Sequence, residues 1–201
     1  YGNDVIALAQ TGTGKTAAYG IPVLQKVNPE EKHTQALILS PTRELCLQIS
    51  DDLADFSKYV PGLHVVPVYG GASIEMQIRQ LRKGAQIIVA TPGRLIDLMK
   101  RGVAQLDAVN NVVLDEADEM LNMGFQESIT EIMESLPADC RKLLFSATMG
   151  REVEKVAKNY ISDHEEIVVG SRNEGAENVN HVYYLVHAKD KYLALKRIVD
   201  F

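Results

Sequence analysis

Two short strings hold the residue types from which a polyphosphate site can be built: Ala9-Gln10-Thr11-Gly12-Thr13-Gly14-Lys15-Thr16 and, far downstream, Asp115-Glu116-Ala117-Asp118. Glycines let successive backbone N–H groups turn toward one point, a lysine adds compact positive charge, and hydroxyl or carboxylate oxygens suit a hard divalent cation. The first string follows the apolar run Val5-Ile6-Ala7-Leu8 and leads into a helical pattern at Lys15-Thr16. That is the strand, loop, helix setting of a P-loop, in which amides and the positive end of the helix face phosphate oxygens. Lys15 would then bridge the β- and γ-phosphates, and the Thr16 hydroxyl would ligate magnesium. Ala9 stands where the common pattern has its first glycine.

The second string ends the run Asn111-Val112-Val113-Leu114, the Walker B arrangement of a buried strand followed by acids. Asp115 can hold magnesium through water, because that cation prefers oxygen ligands and retains much of its hydration shell. Glu116 is placed to orient or deprotonate an attacking water, and Asp118 to hydrogen-bond a neighbouring loop and report the nucleotide state. By itself the cluster could equally be the acid-rich first turn of a surface helix. Joined to the upstream P-loop, the catalytic reading explains more.

The elements that must position these strings follow from hydrophobic periodicity. Candidate strands cover residues 5–8, 36–39, 64–69, 86–90, 111–114, 142–145 and 166–169, and candidate helices cover 16–26, 43–59, 74–83, 95–100, 126–135 and 152–160. Their alternation predicts an α/β fold with a mostly parallel sheet and helices on both faces. Continuous apolar strands such as Ile87-Ile88-Val89-Ala90 fit burial on both sides. Ligands of such sheets bind beyond the carboxyl ends of the strands. At those positions stand Ser40-Pro41-Thr42-Arg43-Glu44, Gly70-Gly71, Thr91-Pro92-Gly93-Arg94 and Ser146-Ala147-Thr148, besides the two strings already described.

Composition narrows the classes further. The 201 residues are 46% hydrophobic and 24% charged, as in ordinary globular proteins, and the formal net charge is −6. Such a balance excludes nucleic-acid binding by a broad basic face, so any contact of that kind must be local. No apolar run approaches the ~20 residues of a membrane helix and no secretory leader is visible, which makes the cytoplasm the expected compartment and a membrane partner unexpected. Cys46 and Cys140 are read as reduced structural thiols, and the five histidines show no zinc-site spacing.

With these strings in order, the sequence resembles the DEAD-box helicases of superfamily two over almost its whole length. The match consists of the alanine-led P-loop 9–16, Pro41-Thr42-Arg43-Glu44-Leu45, Gly70-Gly71, Thr91-Pro92-Gly93-Arg94, the name-giving Asp115-Glu116-Ala117-Asp118 and Ser146-Ala147-Thr148. The resemblance implies a RecA-like domain with ATP and Mg2+ as cofactors, and ATP-dependent unwinding of RNA as the activity. It implies an RNA path lined by Pro41, Thr42, Arg43, Gly71, Thr91, Pro92, Gly93 and Arg94, held through the sugar-phosphate backbone without regard to base sequence. Amides, hydroxyls and guanidinium groups at helix N-termini can do this on an acidic protein. Asp118, Ser146 and Thr148 would couple the nucleotide site to closure against a second RecA-like domain in cis, although Ser146 and Thr148 could also cap the following helix.

On this reading residues 1–170 form the first RecA-like domain, 171–178 a polar linker, and 179–201 the opening strand and helix of the second domain. The family's adenine-reading glutamine lies upstream of the matched segment, and most of the second domain is not represented. The chain by itself is therefore expected to be monomeric, to bind nucleotide weakly and to unwind negligibly. Two other readings stay open: a nucleotide-switched RNA clamp, and a P-loop phosphotransferase or DNA-directed motor, which the phosphate cradle alone would permit.

Overall fold

The structure, a computed structural model, describes residues 2–10, 12–169 and 182–199. Thr11 of the P-loop and the expected linker 171–178 lie outside the described residues. The seven strands are β1 (Asp4–Leu8), β2 (Ala36–Leu39), β3 (Val65–Val68), β4 (Ile87–Ala90), β5 (Asn111–Leu114), β6 (Arg141–Ser146) and β7 (His164–Val168). They form one sheet in the order β3-β4-β2-β5-β6-β1-β7, and every pairing is parallel.

The helices are α1 (Lys15–Lys26), α2 (Arg43–Phe56), α3 (Ile74–Arg82), α4 (Pro92–Lys100), α5 (Ala117–Asn122), α6 (Gln126–Glu134), α7 (Arg151–Tyr160) and α8 (Lys191–Val199). Alternate residues of each strand face opposite sides of a sheet, and two separate cores result. Ala36, Ile38, Val89, Val113 and Phe145 pack against Tyr19 and Val23 of α1 and Cys46, Ile49 and Leu53 of α2. Leu37, Leu39, Ile88, Val112 and Leu144 pack against Leu95 and Leu98 of α4, Met120 of α5, Ile129 of α6 and Val153 of α7. Helices cover both faces, as the uninterrupted apolar strands require.

Four elements differ from the sequence-based expectation by three residues or more, among them α2, which ends at Phe56 and not at residue 59. Helix α5 starts directly after Asp115-Glu116, where only an acidic turn is legible. Helix α4 begins at Pro92 and not at residue 95, since a proline at the first helical position already has the helical φ and lacks only an N–H that would go unbonded there. The alternating segment after 179 forms no strand over 182–187, while α8 follows as a helix. A strand needs hydrogen bonds from a neighbour, whereas a helix satisfies its backbone internally.

Candidate active site

All strand ends are aligned because the sheet is parallel, so one edge carries every motif in an order set by topology. Along that edge the loops after β3, β4 and β2 hold Gly71, Thr91 to Arg94, and Pro41 to Arg43. The loops after β5, β6 and β1 hold Asp115 to Asp118, Ser146 to Thr148, and the P-loop. Strands lie ~4.8 Å apart, so the P-loop and the acids, two strands apart, are within reach of one lysine side chain.

The P-loop turns through Gly12 at φ 83° and Gly14 at φ 81°. A Cβ at either position would meet nothing within 4 Å; the left-handed backbone, not crowding, is what calls for glycine there. Ala9 N–H donates to the Ser146 carbonyl at 3.0 Å, and Thr13 Oγ1 donates to the Gln10 carbonyl at 2.8 Å. Gln10 and Thr16 are half-buried and Thr13 is exposed. A cavity of about 250 Å³, lined in part by Ala9, Thr13, Lys15, Ala18 and Tyr19, adjoins the loop.

Lys15, only 8% exposed, donates from Nζ to Glu116 Oε1 at 2.7 Å and to the Ala9 carbonyl at 3.3 Å. Asp115 Oδ1 stands 4.0 Å from the same ammonium. Glu116 adopts φ 51° and ψ 52°, a left-handed conformation rare for a non-glycine residue and typical of strain held at functional sites. Asp115 is buried, which pushes its carboxyl above the usual range; the Lys15 charge and a hydrogen bond from Tyr19 oppose that shift. Tyr19 Oη donates to Asp115 Oδ2 at 2.9 Å, and Glu116 N–H donates to Asp115 Oδ1 at 2.9 Å. Burial beside Asp115 also drives the Tyr19 phenol upward, so it remains a donor.

Asp118 meets the loop after β6. Its Oδ2 accepts from Thr148 N–H at 3.0 Å and from Thr148 Oγ1 at 2.8 Å, while Asp118 N–H donates to Ser146 Oγ at 3.3 Å. Ser146 Oγ donates in turn to the Thr148 carbonyl at 2.7 Å. Neither residue caps α7, whose N-cap is Gly150.

At the other half of the edge, the Arg43 guanidinium lies 5.1 Å above the Tyr69 ring centroid, and its Nη1 would be 3.8 Å from a Cβ placed on Gly71. Thr42 caps α2, its side chain accepting from Leu45 N–H. Arg94 Nη1 donates to the Ala72 carbonyl and to Gln77 Oε1, each at 3.2 Å. Pro41, Thr91 and Pro92 are buried and Gly93 is exposed. Sequence reasoning missed Tyr19, Tyr69 and Gln77. Tyr19 carries a legible signal, since it sits four residues after Lys15 and hence on the same helix face; Gln77 carries none.

A parallel α/β sheet whose edge presents a P-loop lysine against adjacent acids defines the P-loop class of nucleotide-binding folds. More specifically, the chain belongs to the DEAD/DEAH box helicase family, whose model matches residues 1–156. It is 42% identical over 99% of its length to the ATP-dependent RNA helicase DeaD of Haemophilus influenzae, of which it covers 32%. It is 46% identical over 98% of its length to the DEAD-box ATP-dependent RNA helicase CshA of Bacillus licheniformis, covering 40% of that protein. The chain thus spans well under half the length of these relatives. Among solved structures, a DEAD box protein from Methanococcus jannaschii superposes with a TM-score of 0.79 at 40% identity, covering 98% of this chain and 52% of that one.

Proposed function

We propose that the protein carrying this chain is an ATP-dependent RNA helicase, and that residues 1–170 form its first RecA-like domain. The observation that carries the proposal is the contact of Lys15 with Glu116 and Asp115 on the same sheet edge as Arg43 and Arg94. The relatives' own names, DeaD and CshA ATP-dependent RNA helicases, agree with it.

The donor set fits magnesium. Asp115 offers one buried carboxylate and Thr16, whose side chain approaches the same Tyr19 phenol, offers a hydroxyl. One carboxylate and one hydroxyl suit a cation that takes its remaining ligands from phosphates and water. Bound there, magnesium would neutralise phosphate charge. Lys15 would exchange Glu116 for phosphate oxygens, releasing the Glu116 carboxylate to orient the attacking water. The glycine-rich turn would offer its amides to the phosphates.

Single-stranded RNA would lie across the loops of Pro41 to Arg43, Gly71 and Thr91 to Arg94, held by its backbone. Asp118, tied to Ser146 and Thr148, would pass nucleotide occupancy to closure against a second RecA-like domain beyond a linker at 171–178. Among the described residues no helix is long and apolar enough to cross a membrane, and a cytoplasmic address is part of the same proposal. The deciding experiment is ATP hydrolysis by the full-length protein with and without single-stranded RNA. Strong stimulation by RNA and little by matched DNA is expected; turnover indifferent to RNA would overturn the proposal.

A further inference from the structure

The loops proposed to face RNA are joined by a side chain that belongs to none of them. Gln77 projects from α3 and is 4% exposed. Its Nε2 donates to the Tyr69 carbonyl at 3.0 Å, and its Oε1 accepts from Arg94 Nη1 at 3.2 Å. The same Arg94 nitrogen donates to the Ala72 carbonyl at 3.2 Å. Tyr69 carries the Arg43 guanidinium over its ring at 5.1 Å. Arg43, Tyr69, Gln77 and Arg94 therefore form one connected array across the loops after β2, β3 and β4.

The chemistry at position 77 is narrow. The side chain must donate to a carbonyl and accept from a guanidinium at once, and a neutral amide of this length does both. An ionised glutamate only accepts, a lysine only donates, a methionine does neither, and an asparagine is one methylene short. Among the described residues both Arg94 side-chain hydrogen bonds use Nη1, which leaves its Nη2 and Nε donors for an anion.

We infer that Gln77 is a positioning residue for RNA, holding Arg94 in register with the Tyr69 to Ala72 turn so that the free edge of the guanidinium meets a backbone phosphate. The inference rests on the proposed RNA-binding function. It makes Gln77 part of the RNA machinery although it touches no RNA.

The test uses the full-length protein with magnesium, a non-hydrolysable ATP analogue and a short fluorescein-labelled oligouridine, with affinity read by anisotropy over a salt series. Gln77→Met is expected to weaken binding about tenfold and to lower the slope of log affinity against log salt by about one, as losing one phosphate contact does. Arg94→Ala should do the same, and the double variant should add nothing further. Gln77→Glu preserves volume and the acceptor for Arg94, guarding against misfolding of the methionine variant; its carboxylate neutralises the guanidinium and should lower the slope too. A merely structural role would lower the melting temperature while leaving the slope at the wild-type value, or would make the losses additive with Arg94→Ala; either result overturns the inference. Failure of the wild-type protein to bind oligouridine would instead strike the RNA-binding reading itself, and the role of Gln77 with it.

Discussion

Lys15 Nζ lies 2.7 Å from Glu116 Oε1, an ion pair closed across 101 residues of chain. The residue proposed to hold phosphate and the residue proposed to activate water thus neutralise each other. On the proposed reading, nucleotide binding would be an exchange of partners, in which phosphate would take the place of Glu116 on Lys15. Replacing Glu116 with Gln would remove the competing charge and the proposed base together. Turnover should drop by roughly 10²–10⁴-fold, while affinity for magnesium-ATP, measured by calorimetry, should stay equal or rise. Undiminished turnover would remove Glu116 from the chemistry.

The Asp118 carboxylate accepts two hydrogen bonds from Thr148 through the same oxygen. Because Thr148 is exposed, Thr148→Ala should shift the melting temperature little. Its expected effect is on communication: RNA should stimulate hydrolysis several-fold less, with the RNA-free rate near wild type. The comparison is a pair of steady-state ATPase titrations, and full RNA stimulation in the variant would dismiss the contact as a coupling element.

Gly20 on α1 lies against Leu53 of α2, and a Cβ there would stand 2.8 Å from Leu53 Cδ2. Alanine gains about 1 kcal/mol of helix propensity over glycine, whereas overpacking a tight core costs about 1–3 kcal/mol. Leu53 is fully buried and has little room to yield, so Gly20→Ala should lower stability by about 1 kcal/mol. Urea denaturation measures it; a stabilised variant would show that the two helices part without cost.

Cys46 is buried, its thiol donating to the Val89 carbonyl at 3.1 Å. Burial pushes its pKa up to about 11 from an ordinary 9.0. Since the folded value is the higher one, the neutral thiol is favoured in the native state and the thiolate in the unfolded chain. The contribution is intact below pH 9 and declines as pH rises toward 11. Any stability advantage of wild type over Cys46→Ala should therefore shrink across that interval. At neutral pH the native thiol should resist a disulfide reagent and react only on unfolding; fast labelling of native protein would contradict the burial.

Much of this site is legible in one dimension because its parts are local in sequence. Gly12, Gly14 and Lys15 form a contiguous loop between a strand and a helix, and Asp115 and Glu116 directly follow the three apolar residues Val112, Val113 and Leu114 that end β5. The central strands β2, β4 and β5 are recognisable because a strand buried on both faces must be largely apolar, whereas β7 is exposed along its length and carries only the apolar pair Ile167-Val168. Boundaries are less secure: α5 hides behind the acids it follows, and the alternating residues from 182 to 187 form no strand.

What the sequence by itself determined was the set of parts, namely a glycine-rich turn ending in a lysine, a pair of acids, arginines at helix starts and an α/β pattern to carry them. Only the tertiary structure decided the pairings. Strand order brings β1 within two strands of β5, so Lys15 meets Glu116, Tyr19 meets Asp115 and Asp118 meets Thr148. It also left Gln77 between Tyr69 and Arg94, where a glutamine on an amphipathic helix becomes a bridge. Local sequence encodes backbone preference and burial, whereas hydrogen bonds between distant side chains depend on how the strands are ordered and which way each helix crosses back.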